Sequence, residues 1–168
     1  MIAMNYCMQC GAELTAKYLP SEGREIPYCP ACGDFRFPVF NTAVSMIVTN
    51  AARDRIVLIR QYGRPDYILV AGYVNQYEDA EDAAVREVRE ELGLNVREVT
   101  FNHSHFFRPS NTLMLNFTAV VDDTSVHANE EVDAFTWFTP EEARKSIKPN
   151  SLAQAFLEGY LTRRWSFR

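Results

Sequence analysis

Residues 71–94 read AGYVNQYEDAEDAAVREVREELGL, and seven of them carry the chemistry: Gly72, Glu78, Arg86, Glu87, Glu90, Glu91 and Gly93. A loop containing Gly72 runs into the acids Glu78, Asp79, Glu81 and Asp82, which suit the positive end of a helix dipole. The spacing predicts a helix over residues 79–92, closed where Gly93 takes the left-handed conformation. Ala80, Ala84, Val88 and Leu92 recur every four positions and form its buried stripe. Glu87 and Glu91 stand one turn apart beside that stripe, with Glu90 on the outer flank. Like charges at this spacing destabilise an isolated helix by roughly 0.2–0.5 kcal/mol per pair, so the cluster calls for a compensating charge. All-oxygen donors with no His or Cys nearby point to Mg2+ or Mn2+ rather than zinc. Arg86, four residues before Glu90, is placed to pair with it and restrain the acids. The plainer reading is a solvated acidic face with one ion pair.

Working outward, all four cysteines fall within the first 32 residues, as Cys7-x2-Cys10 and Cys29-x2-Cys32. Gly11 and Gly33 follow the two pairs and permit tight knuckles around an ion. Four thiolates so spaced predict a tetrahedral structural Zn2+ site with no position for substrate; two disulfides or a redox pair are the alternatives. A ribbon this small has little apolar core, so on the order of 10 kcal/mol of its folding energy comes from the metal. Phe35, Phe37, Pro38 and Phe40 follow the second knuckle as a packing surface.

The stretch from Gly72 to Leu94 matches G-x5-E-x7-R-E-U-x-E-E-x-G-U, with U aliphatic, and on these residues the chain resembles the Nudix hydrolases. A cysteine ribbon directly before the motif, and the tripeptide Ala71-Gly72-Tyr73, are similar to the NADH pyrophosphatase branch of that family. The resemblance implies an α/β/α sandwich with a mixed sheet, residues 39–168, after a zinc ribbon at residues 1–38. It implies that Glu87, Glu90 and Glu91 hold Mg2+ or Mn2+, with Glu78 a weaker ligand and Glu87 or Glu91 the general base. Glu131 matches a downstream acid that often completes the metal site in relatives; alternatively it is a surface acid at a strand entrance. The implied reaction is hydrolysis of the diphosphate in a nucleoside diphosphate joined to another group, such as NAD(H) or ADP-ribose. A homodimer is implied as well.

Two stretches depart from the branch. Where relatives that prefer NADH carry Ser-Gln-Pro-Trp-Pro-Phe-Pro-x-Ser, this chain has residues 104–112, SHFFRPSNT. Gly72, Phe106, Phe107 and Arg108 are the substrate-binding candidates, the two phenylalanines to stack on a base, with packing as their alternative, and Arg108 to meet a phosphate. His103 and His105 share a strand face, which fits a hydrogen-bonding or surface role better than a metal site. Many relatives have Glu-x-Gly-Glu in the loop where this chain has Asn75-Gln76-Tyr77-Glu78. Tyrosine is costlier than glycine at a positive backbone angle.

Strands are expected at residues 42–49, 55–60, 67–74, 96–107, 113–121 and 132–138, and further helices at 140–146, capped by Thr139, and 151–161, capped by Asn150 or Ser151. That order makes a mixed α+β domain. Of the 168 residues 47% are hydrophobic, enough for a real core, and no apolar run approaches a membrane span. The N-terminus lacks a basic segment followed by a hydrophobic run, and thiolates kept for zinc indicate the cytoplasm. A net charge of −5 argues against a broad nucleic-acid surface. Two other functions stay open: removal of an NAD cap from RNA, guided by Arg163, Arg164 and Arg168 beside Trp165, and a non-catalytic nucleotide sensor whose ribbon binds a partner.

Overall fold

The computed structural model describes residues 4–167; Arg168, named above for RNA guidance, lies outside them. The chain divides into two compact units, one ending at Asn41 and one running from Thr42 to the C-terminus.

The first unit is a three-stranded antiparallel ribbon of β1 (Thr15–Leu19), β2 (Arg24–Cys29) and β3 (Asp34–Phe35), in the order β1-β2-β3. Its buried hydrophobic residues are Cys7, Ile26 and Cys29 among those described, so apolar burial alone does little to hold it. Two knuckles fix its ends. The Gly11 N–H donates to the Cys7 carbonyl at 2.8 Å and the Gly33 N–H to the Cys29 carbonyl at 2.9 Å. Both glycines are left-handed, at φ 75° and 70°, as the turns require.

The second unit is built on a six-stranded mixed sheet: β4 (Asn41–Asn50), β5 (Ile56–Gln61), β6 (Val70–Tyr73), β7 (Val96–Phe107), β8 (Thr112–Val121) and β9 (Val132–Phe138). The order is β7-β8-β4-β5-β9, with β6 also paired to β4. Alternation along the central strands sends side chains to two cores. Val44, Met46, Val48, Val57 and Ile59 join Phe117 and Ala119 under Ala83, Ala84, Val88 and Leu92 of α1 (Ala80–Leu92). Ile47, Ile56 and Leu58 pack on the other side against Ala143 of α2 (Pro140–Ser146) and Phe156 and Leu157 of α3 (Leu152–Thr162). One helix on one face and two on the other make the α/β/α sandwich.

The helix ends follow their residues. Gly93 closes α1 at φ 67°, its N–H donating to the Arg89 carbonyl, and a β-carbon there would approach His127 to 2.9 Å. Thr139 and Glu142 form a reciprocal capping box on α2, and Ser151 caps α3 by accepting from the Gln154 N–H at 3.0 Å. Strand β6 is shorter than the expected 67–74, because Tyr67 and Ile68 leave the β4 ladder for isolated bridges to Ile147 and Ile59.

Candidate functional site

Helix α1, strand β6, the turn after β5 and the loop before β9 enclose a cavity of about 370 Å³. Gly72, Tyr73, Glu87, Glu90 and Glu91 line it, joined by Tyr62, Ala71, Asn75, Asn129 and Glu131. Gly72 is required for a steric reason: a β-carbon at that position would overlap the carboxylate of Glu87. The glycine therefore clears space for an acid fifteen residues further on.

Arg86 gathers the neighbouring acids. Its Nε and Nη2 donate to both oxygens of Glu78, at 2.6 and 2.9 Å, and its Nη1 donates to Glu87 at 2.7 Å and Glu90 at 2.9 Å. Nη2 also donates to the Tyr73 carbonyl at 2.9 Å, fastening the end of β6 to α1. The expected pairing with Glu90 is present and is one of three ion pairs. The guanidinium holds the Glu78 carboxyl down at about 2, aided by the Asn75 N–H, which donates to it at 2.8 Å. Glu78 is thus committed to Arg86 and does not line the cavity.

Glu91 is the opposite case. It is only 3% exposed, and its Oε2 has no hydrogen-bond partner. Burial, and then the charge of Glu87, push its carboxyl up to about 8, against a hydrogen bond from Gln61. An isolated buried carboxylate oxygen facing other acids is what a hard cation satisfies, so the donor set fits Mg2+ or Mn2+. The acids line a wide space with Arg86 among them; the four cysteines are the described group whose ligand atoms all lie within 4.8 Å of one another.

In the ribbon, Cys7 Sγ lies 3.9 Å from Cys32 Sγ and Cys10 Sγ 3.5 Å from Cys29 Sγ. Disulfide sulfurs sit at about 2.05 Å, whereas a tetrahedron of about 2.3 Å Zn–S bonds has edges near 3.8 Å, so the spacing suits four thiolates around one ion. The nearly buried Arg36 donates to Cys7 Sγ at 3.2 Å, to Asp34 at 2.8 Å and to Gln9 at 3.0 Å. Its hydrogen bond lowers the Cys7 thiol to about 6, while hydrogen bonding to Cys10 and Cys29 raises Cys32 to about 12.

The remaining sequence candidates lie elsewhere. Phe106 and Phe107 end β7, and Arg108 opens a 3-10 turn, Arg108–Ser110, between β7 and β8; none of the three lines the acidic cavity. His103 and His105 stack against the C-terminal tail, His103 on Trp165 with ring centroids 5.1 Å apart and His105 on Phe167 at 4.3 Å. Trp165 fills the space left by Gly159, where a β-carbon would overlap its indole. Tyr77 takes the left-handed conformation at φ 66° with its side chain fully exposed. Tyr62 and Asn129 were not singled out from the sequence. Their only sequence signals are a turn-forming Tyr-Gly pair and an Asn shortly before a strand.

The NUDIX domain profile matches residues 39–157, and the chain belongs to that family. The NAD-capped RNA hydrolase NudC of Stutzerimonas stutzeri (strain A1501) is 30% identical over 162 residues, covering 95% of this chain and 56% of that protein. The chain spans about half the length of the curated relatives it matches. Among solved structures, a NUDIX hydrolase from Nitrosomonas europaea superposes with a TM-score of 0.68 at 19% identity, covering 98% of this chain and 97% of that one. The NUDIX domain of Shewanella oneidensis NrtR, solved with ADP ribose, gives a TM-score of 0.63 at 12% identity, covering 81% and 93%. At these identities both structures bear on the fold alone.

Proposed function

We propose that this chain hydrolyses the diphosphate linkage of a nucleoside diphosphate joined to a second group, a dinucleotide such as NAD(H) or a smaller relative such as ADP-ribose. The observation that carries the reading is the unpartnered, buried Glu91 oxygen in a cavity shared with Glu87, Glu90 and Glu131. Glu87, Glu90, Glu91 and Glu131 would hold Mg2+ or Mn2+, and Cys7, Cys10, Cys29 and Cys32 would hold Zn2+ as a closed structural ion. When bound, the divalent cation supplies charge neutralisation at the diphosphate and a lowered pKa for water. Glu87 or Glu91 would act as general base and take the proton of an attacking water. Arg86 keeps Glu87 and Glu90 in place and ties them to β6. Gly72 keeps the cavity open to the substrate beside Glu87. In the overall reaction a P–O bond forms from water, the bridging P–O bond breaks, and two phosphate monoesters leave.

A second substrate, RNA carrying an NAD cap, is supported by the name of the NudC relative. The same diphosphate is cleaved in both, so the active-site assignment is shared. A homodimer and a cytoplasmic location belong to this reading; no described helix is long and apolar enough to cross a membrane. The test is incubation of the purified chain and Mn2+ with NADH, NAD, ADP-ribose, FAD, dinucleoside polyphosphates and 5′-NAD RNA, with product analysis. Two monophosphate products from at least one of these are expected. Tight binding of one with turnover of none would replace the enzyme with a nucleotide sensor.

A further inference from the structure

The turn after β5 is built in an unfavourable way. The Arg64 N–H donates to the Gln61 carbonyl at 3.1 Å, and the two residues between, Tyr62 and Gly63, both have positive φ, 57° and 67°. Turns with two left-handed central residues favour Asn, Asp or Gly at the first of them, because a side chain there crowds the backbone. A large aromatic side chain is a poor choice for that position on local grounds. The turn is nevertheless fixed: the Gly63 N–H donates to Asp133 Oδ2 of β9 at 2.6 Å. The tyrosine is not held there by burial, since it is 68% exposed.

What the conformation achieves is to set Tyr62 on the wall of the acidic cavity, where its hydroxyl donates to Glu131 Oε2 at 3.0 Å. Glu131 belongs to the loop before β9, which is tied to α1 through Asn129: the Asn129 N–H donates to the Glu91 carbonyl at 3.1 Å, and Asn129 Oδ1 accepts from the Glu131 N–H at 3.0 Å. Its carboxylate and that of Glu91 repel each other, and on electrostatic grounds alone Glu131 would turn to solvent. A neutral donor across the cavity opposes that rotation. Strain that persists at a functional site is expected where the surroundings gain from it.

We infer that Tyr62 is a positioning residue that holds Glu131 turned into the cavity, so that this acid, distant in sequence from the helical glutamates, is in place to receive the cation. The inference rests on the divalent-cation reading of the site. Its chemistry is that of an outer partner that orients a ligand, and loss of such a partner typically weakens metal affinity about 10- to 100-fold.

The experiment is Mn2+ binding to the substrate-free protein, followed by electron paramagnetic resonance, for wild type, Tyr62→Phe, Tyr62→Asn, Glu131→Gln and the double variant Tyr62→Phe/Glu131→Gln. Tyr62→Phe keeps the ring and removes only the donor, and should weaken Mn2+ binding roughly tenfold. Part of its loss of turnover should be recovered at saturating Mn2+. Tyr62→Asn should weaken binding as well while raising the melting temperature, because asparagine suits the turn; a tyrosine with only a structural role would not combine those effects. In the Glu131→Gln background, Tyr62→Phe should add less than about twofold, since the two act as one unit. Wild-type binding with Tyr62→Phe within twofold of it overturns this inference and leaves the functional reading intact. Absence of Mn2+ binding by the wild type overturns both.

Discussion

Gly72 and Glu91 show how single residues set this site. Gly72→Ala places a methyl group where the Glu87 carboxylate lies. The obstacle is the end of a side chain, so Glu87 should move while the fold persists. The expected result is a loss of diphosphate hydrolysis of roughly 10- to 100-fold, since small displacements of catalytic groups have effects of that size. Circular dichroism and kcat/KM measured together check it. Tyr77, fully exposed at φ 66°, makes no use of its side chain in the described structure. A left-handed non-glycine residue costs about 1–2 kcal/mol, and glycine's greater unfolded-state freedom offsets roughly half of that. Tyr77→Gly should therefore raise the melting temperature by about 1–4 °C in a thermal denaturation scan. The glutamates of α1 and the four cysteines were legible because their spacing is local: one helical turn, or one knuckle. Tyr62 was not, because its meaning depends on Glu131, 69 residues away. Nor was the reason for Gly72, which read as a loop residue and lies in β6, where it is clearance for another side chain.

At the level of elements, the sandwich strands and helices followed from alternation and caps, and the structure places them within a few residues of expectation. Three features escaped. The ribbon strands β1 to β3 are short and mostly exposed, so no hydrophobic period marks them. The break expected between residues 107 and 113 is present, but its 3-10 form at Arg108–Ser110 was not foreseen. The tail after α3 reads as arginines beside Trp165, with no sign of docking, yet Trp165 and Phe167 stack on the histidines of β7. Burial, with the charge of His103 adding to it, lowers His105 below its ordinary 6.5. A histidine whose folded pKa is depressed is neutral in the fold but charged in the released state. Docking therefore keeps its full strength above about pH 6.5 and weakens as pH falls toward the folded value. The ring resonances of Phe167, which stacks on His105, should shift toward their exposed positions as pH falls below about 6.5; unchanged resonances contradict the stacking account. For the ribbon, chelation should abolish amide-exchange protection across β1 to β3, because among its described residues the buried hydrophobics are Ile26 and two cysteines.

Across the whole molecule, the two cores on either face of one sheet turn a local motif into a site. The sheet and α1 bury Val88 and Leu92 and carry Glu91 inward with them. Strand β6 brings Gly72 alongside, and the loop before β9 adds Glu131. Charge composition said little of this, since a net of −5 is spread over many acids and only a few meet in the cavity. Substrate identity was least legible: Phe106, Phe107 and Arg108 are not among the residues that line the cavity, whereas Tyr62 and Tyr73 are. The central claim is that Glu91 and its neighbours serve diphosphate hydrolysis through a hard cation. The most direct measurement is the initial rate of diphosphate cleavage at saturating Mn2+ for wild type and Glu91→Gln, on whichever compound the wild type turns over fastest. The account predicts a fall of roughly 100-fold or more. A Glu91→Gln rate within about twofold of wild type would contradict it.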